Sequence, residues 1–235
     1  FAIGNDYEHT CGDIFVDMTG NLEIITNSEE TVCIGGGYNL NESEINLKSG
    51  NIKINMNSHN GVAIGNYNGG SIINMSDKCR IDISISGINV IAIGSVKSES
   101  LIMSSADIDI HASGASTIGI GSFSNAEGDV NIKKGKINIT MRSSKNAGIG
   151  SWKGKMNVNI RDCSINIDNQ GNDVAGIGDI FGSGNVFIKN SDIDIKISAS
   201  NPIDIGTEKG NTKLQENKFS SVINGKQISH EQTGV

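Results

Sequence analysis

Proline is nearly missing from this chain: Pro202 is the only one in 235 residues, and rings are scarce too, with one Trp, three Tyr and six Phe. With no proline-rich or charge-rich linker, the composition fits one elongated domain rather than several globular units on tethers. So few rings also argue against a core of the usual globular-enzyme kind, in which large aromatic side chains dominate burial. No stretch approaches the run of about 18 apolar residues that crosses a bilayer as a helix. Acids outnumber bases 26 to 19, for a net charge of −7, and no basic-aromatic groove or known module points to nucleic acid.

Metal and nucleophile signatures are absent as well. There is no Cys-x-x-Cys, and His9, His59, His111 and His230 share no ligand spacing, which argues against zinc. Gly119-Ile120-Gly121 lacks the strand-to-helix context of a phosphate or dinucleotide loop. The chain opens Phe1-Ala2-Ile3-Gly4, without an initiating Met or a charged-then-apolar leader. It reads as a portion excised from a larger protein.

What is present is periodic. An Ile-Gly step recurs at Ile3, Ile34, Ile64, Ile93, Ile120, Ile149, Ile177 and Ile205, at intervals of 31, 30, 29, 27, 29, 28 and 28 residues. A motif returning at such a constant period marks a solenoid, in which each turn buries its apolar side only against its neighbours. Between landmarks, apolar residues alternate with Asn, Asp, Lys and Ser, as in Ile73-x-Met75 with Ile81-x-Ile83-x-Ile85, or Val186-x-Ile188 with Ile193-x-Ile195-x-Ile197. That is the period of a half-buried strand, and no window carries a helical spacing.

The predicted fold is therefore all-β: a right-handed parallel β-helix of about eight coils of ~29 residues, with three short strands per coil. Its handedness follows the general preference of parallel crossovers. Gly, 30 in number, and Asn supply the corners. Residues 1–210 are assigned to the solenoid. From Asn211 the Ile-Gly register lapses while Leu214, Phe219, Val222 and Ile223 persist, so 211–235 is read as a C-terminal cap protecting the last strands. In register, Cys79 and Cys163 fall in a column of small residues, and Cys33 in one otherwise filled by alanine. They are expected to be small buried thiols, with a Cys11–Cys33 bridge and reactive roles as the alternatives.

The outer surface carries three candidate sites. Tyr7, Tyr38, Tyr67, Val96, Phe123, Trp152 and Ile180 stand three or four residues past their landmark Ile, so they form one corner column. Stacked rings of this kind bind the apolar faces of consecutive sugars; the alternative is a corner stack that shields the core. Between Lys133 and Arg161 there are eight bases and no acid, among them Lys153 and Lys155 beside the only Trp, and such a belt suits a uronate or sulfated glycan. Asp82, Asp107 and Asp109 project outward from adjacent coils, as do Asp168, Asp192 and Asp194. Carboxylates on neighbouring coils suit a shared Ca²⁺ or an acid-base pair on a glycosidic bond; ordinary solvated strand faces carry Asp too.

The recurring Ala-x-Ile-Gly or Ala-Gly-Ile-Gly, at Ala63 to Gly65, Ala92 to Gly94, Ala147 to Gly150 and Ala175 to Gly178, is followed by Gly-x-[Val/Ile]-x-Ile and Ile-x-Ile. Over residues 1–210 the pattern resembles the glycine-rich β-helix repeats of secreted and surface proteins of low-GC Gram-positive bacteria. This sequence departs from the glycine-richest of them in using Asn and Ser where they use Gly. The resemblance implies an extracellular or cell-surface location and a role as carbohydrate-binding protein, adhesin or stalk. The resulting expectation is a non-catalytic carbohydrate-binding or adhesive module, part of a larger chain, with a polysaccharide or host or cell-wall glycan as partner and no membrane insertion. Its site residues would be Tyr7, Tyr38, Tyr67, Phe123, Trp152, Lys153 and Lys155, with Ca²⁺ at Asp82, Asp107 and Asp109 as an optional addition. The alternatives are a polysaccharide lyase or glycoside hydrolase acting on an acidic polysaccharide, and a structural spacer.

Overall fold

Alternation of Ile with small polar residues makes each stretch a strand with one apolar side, and parallel stacking of turn upon turn is what buries those sides. The computed structural model describes residues 3–5, 12–37 and 43–232. Among them there is no helix, and the mostly parallel strands stack as a β-solenoid of about seven turns. The landmarks superpose: Ile64 pairs with Ile93, Ile93 with Ile120, Ile120 with Ile149, Ile149 with Ile177 and Ile177 with Ile205.

Three sheets run along the axis. Residues 73–75 and their partners 102–104, 130–132, 158–160 and 186–188 belong to the first. Residues 81–85, 108–112, 137–141, 165–169 and 193–197 belong to the second. The Ile-Gly segments form the third. Inside, residues such as Ile54, Ile83, Ile110, Ile139, Ile167 and Ile195 make a continuous column and are essentially inaccessible. Several strands pass from the second sheet to the third without interruption, as Cys79–Ser95 does.

The third sheet departs from simple alternation. Val90 and Ala92 point into the main core, while Val32, Val62, Ile91, Ile118, Ala147 and Ala175 point the other way into a second apolar cluster. This sheet is covered on both faces, so the run Val90-Ile91-Ala92-Ile93 is continuously apolar, as doubly buried strands are.

Cys33, Cys79 and Cys163 are free, buried thiols, as their columns of small residues imply; Cys11 lies outside the described residues. Burial pushes all three thiols up, Cys163 to about 11, so none is poised as a thiolate.

The C-terminal end differs from the sequence reading in its boundary. The parallel ladder continues past residue 210, with 212–215 on 186–189 and 218–223 on 192–197. Only then does the chain reverse, at Asn224-Gly225, both with positive φ (49° and 77°), and Lys226–Ile228 returns antiparallel to Ser221–Ile223. Asn-Gly is the pair that a tight two-residue hairpin turn demands. Beneath it the inward carboxylate of Asp204, 7% exposed, accepts hydrogen bonds from Ser221 Oγ at 2.6 Å and Ile205 N at 2.8 Å, and pairs with His230 Nε2 at 2.6 Å.

Candidate functional site

The corner column exists, but much of it is interior. Val96, Phe123 and Ile180 are 9%, 6% and 3% exposed and pack on the outward side of the third sheet as members of the second apolar cluster. Tyr67 and Trp152 are half-buried against the same cluster; Tyr7 and Tyr38 lie outside the described residues. Phe123 therefore presents no ring face to solvent, and the expected continuous platform is interrupted at coils four, five and seven. The physical reason is the two-faced third sheet: Ile91 and Ile118 need a cover, and the corner side chains supply it.

Trp152 keeps the most interesting surroundings. Lys145 Nζ sits 4.4 Å from its ring centroid, and Phe181, 44% exposed, meets it edge-on at 6.2 Å. The indole face is thus partly occupied by a cation from its own chain. Lys153 and Lys155 are exposed nearby, and Lys155 Nζ lies 3.7 Å from Glu127.

The carboxylates of the second sheet are spread rather than gathered. Asp82 and Asp109 are cross-strand neighbours, but Asp107 stands in the adjacent column between Arg80 and Lys136 and accepts the Lys136 backbone N–H at 2.8 Å. Asp109 pairs with His111 Nε2 at 3.3 Å. Among the described residues, no three His, Cys, Asp or Glu side chains converge on a point that would hold a metal ion. Arg80 and Lys136 border the same hollow as Asp107, and nearby cations weaken the attraction of that carboxylate for Ca²⁺.

Periodicity alone did not reveal an open groove of about 610 Å³ on the second sheet. Two outward columns line it. Ile25, Asn55, Ser84, His111 and Thr140 form one, and Asn27, Asn57, Ser86, Ser113 and Arg142 the other. Five coils at about 4.8 Å per step make it roughly 19 Å long. Its amides are aligned by their own ladder, Asn57 Nδ2 donating to Asn27 Oδ1 at 3.2 Å and Ser86 Oγ to Asn57 Oδ1 at 3.1 Å. Arg142 is fixed at the far end, donating to the Asp168 carboxylate at 2.7 Å and to its carbonyl at 2.7 Å. No carboxylate lines this groove, although the chain is acidic overall.

The first sheet holds a second feature. Lys133, Arg161 and Lys189 are direct cross-strand neighbours in three successive coils. The sequence window ending at Arg161 contained two of them; the third was readable, since each follows the last by 28 residues. The remaining bases of the belt are scattered around the girth, Arg142 on the second sheet and Lys145 over Trp152. Comparison with protein-family models, characterised proteins and solved structures returns no match.

Proposed function

We propose that this solenoid is an extracellular, non-catalytic carbohydrate-binding or adhesive module whose glycan lies along the groove of the second sheet. The observation that carries the reading is the shape and chemistry of that groove. It is linear and five coils long, and its walls offer amide, hydroxyl, imidazole and guanidinium groups at a constant step, with exposed apolar surface at Ile25. Sugar hydroxyls need paired donors and acceptors at regular intervals, and preorganised amides provide them with little ordering cost. The half-buried Trp152 with Phe181 is a smaller apolar spot at the corner.

Glycan-array screening followed by calorimetric titration tests this. Asn57→Ala and His111→Ala are each expected to weaken binding about tenfold, the equivalent of losing one or two good hydrogen bonds, whereas Trp152→Ala is expected to leave it within twofold of wild type (on the order of 0.4 kcal/mol). Binding that depends on Trp152 and not on the groove moves the site to the corner. An array that captures nothing leaves the solenoid as a spacer in a larger surface protein.

A second reading has one observation in its favour. His111, held by Asp109, and Arg142 line the same groove, and a lyase on uronates needs a base to take the proton beside the carboxylate and a cation to hold that carboxylate. Ultraviolet absorbance of unsaturated products from pectin-type substrates, present in wild type and abolished in His111→Ala, would replace the binding reading by this one.

A further inference from the structure

The first sheet, on a different face from the groove, places Lys133, Arg161 and Lys189 in one straight column. Like charges directly opposite one another across strands repel, so such a column costs stability in a chain that elsewhere has 26 acids to choose from. Beside it run the amides Asn131 and Asn159 in the next column and Asn157 and Asn185 in the one beyond, linked by hydrogen bonds from Asn157 Nδ2 to Asp129 at 2.9 Å and from Asn185 Nδ2 to Asn157 at 3.1 Å. The arginine is held flat against the sheet: its Nε donates to Asn159 Oδ1 at 3.3 Å and its guanidinium carbon lies 5.0 Å from the Phe187 ring centroid. Its terminal nitrogens face no protein carboxylate among the described residues. Lys189 has Glu216 at 3.5 Å, in an exposed pair that a ligand carboxylate can exchange with. Asp129 and Asp162 are the other acids bordering this area, and Asn190 Nδ2 binds Asp162 at 2.6 Å. Toward the N-terminal end the same face continues as a shallow groove of about 460 Å³ that includes Lys48 and Lys133 and no carboxylate.

We propose that this strip binds a linear polyuronate lying parallel to the solenoid axis, its carboxylates on Lys133, Arg161 and Lys189 and its hydroxyls on the flanking asparagines. The charge spacing selects the class. One cation per coil, about 4.8 Å apart, matches a polymer bearing one carboxylate per sugar, whereas a sulfated glycan carries charge more densely than a single column can balance. This deepens the glycan-binding reading by naming a charge class, yet uses other residues, so each can fail alone.

The test is titration of the whole chain with polygalacturonate, with heparin, with double-stranded DNA and with a neutral β-glucan, at low and high salt. Polygalacturonate is expected to bind and to be released as salt screens the contacts. The triple substitution K133Q/R161Q/K189Q, all at the surface, is expected to weaken it about tenfold, with a melting midpoint equal to or above that of the wild type because the like-charge repulsion is relieved. Groove variants His111→Ala and Asn57→Ala are expected to leave that affinity alone. Three results overturn the proposal: no loss in the triple variant, an equal loss in a control K53Q/K196Q/K218Q that removes the same charge from the second sheet, or tighter capture of heparin or DNA than of polygalacturonate. Neutral-glucan binding lost in the groove variants but kept in the triple variant bears on the groove alone.

Discussion

A single methyl group decides whether adjacent turns can meet at the landmark. Gly121 has φ 141°, and a Cβ built on it would lie 1.8 Å from the carbonyl oxygen of Gly150 in the next turn. Gly121→Ala combines a glycine-only backbone region with a main-chain clash that nothing can relieve, so a loss of about 3 kcal/mol or more is expected. Gly20→Ala, with nothing within 4 Å, should change stability by under about 0.5 kcal/mol; urea melts of the two variants compare them directly. Asp179 is the other decisive residue. It is inaccessible, and its carboxylate accepts hydrogen bonds from Ser151 Oγ at 2.6 Å, Gly184 N at 2.9 Å and Met156 N at 3.2 Å. Desolvation outweighs these bonds and raises its pKa. A raised acid binds its proton more tightly when folded, so its contribution is fully favourable below the unfolded value of 3.8 and is lost as pH rises through the folded value. The matching position four turns earlier, beyond Ser151, Ser122 and Ser95, shows the neutral solution: Asn66 accepts from Gly36 N at 2.7 Å and donates to Ser43 Oγ at 2.8 Å. Asp179→Asn is therefore expected to raise stability at pH 7 by about 1 kcal/mol, with the gain shrinking as pH falls toward 4. A thermal melt series across that range checks it, and a gain independent of pH refutes the ionisation argument.

At the scale of strands and corners, the second apolar cluster has to be argued against the sugar platform. If Phe123 is a clasp, Phe123→Ala opens a cavity above Ile118 and costs about 3 kcal/mol, while glycan affinity measured below the melting transition stays as in wild type. A platform predicts the reverse, with stability kept and affinity lost. The sequence periodicity was sufficient to place Tyr67, Phe123 and Trp152 on one corner, because corner positions recur with the landmark. It did not show that Phe123 is buried, although Val90-Ile91-Ala92-Ile93 was the available signal: four apolar residues in a row have no solvent side for alternate members. The groove was hidden for a different reason. Asn, Ser and His at outward positions read as an ordinary wet strand face, and only the three-dimensional structure shows that Asn27, Asn57, His111 and Arg142 border a common hollow. Register, by contrast, was legible to the residue: His111 stands between Ser84 and Thr140, as the count of intervals requires.

The solenoid as a whole has ends, and parallel stacking makes each end a template for another strand. At the C-terminal end the template is closed twice, by the antiparallel return of Lys226–Ile228 across Ser221–Ile223 and by the seating of His230 on Asp204 with its ring 5.4 Å from that of Phe219. The returning strand is only three residues long, and so short an edge offers little template for further pairing. Ending the chain at Ile223 removes both closures. It exposes the hydrogen-bonding edge of 218–223 and leaves the buried Asp204 carboxylate with Ser221 and a backbone amide as partners. The truncated chain is expected to melt lower and to associate in proportion to its concentration, seen as a rising mass by light scattering. His230→Ala separates the two closures: the hairpin persists, the chain stays at the mass of the intact one, and stability falls by about 1–3 kcal/mol, the cost of unpairing a buried charged acceptor. A truncated chain that keeps both the mass and the melting midpoint of the intact protein would show that the end needs no cap.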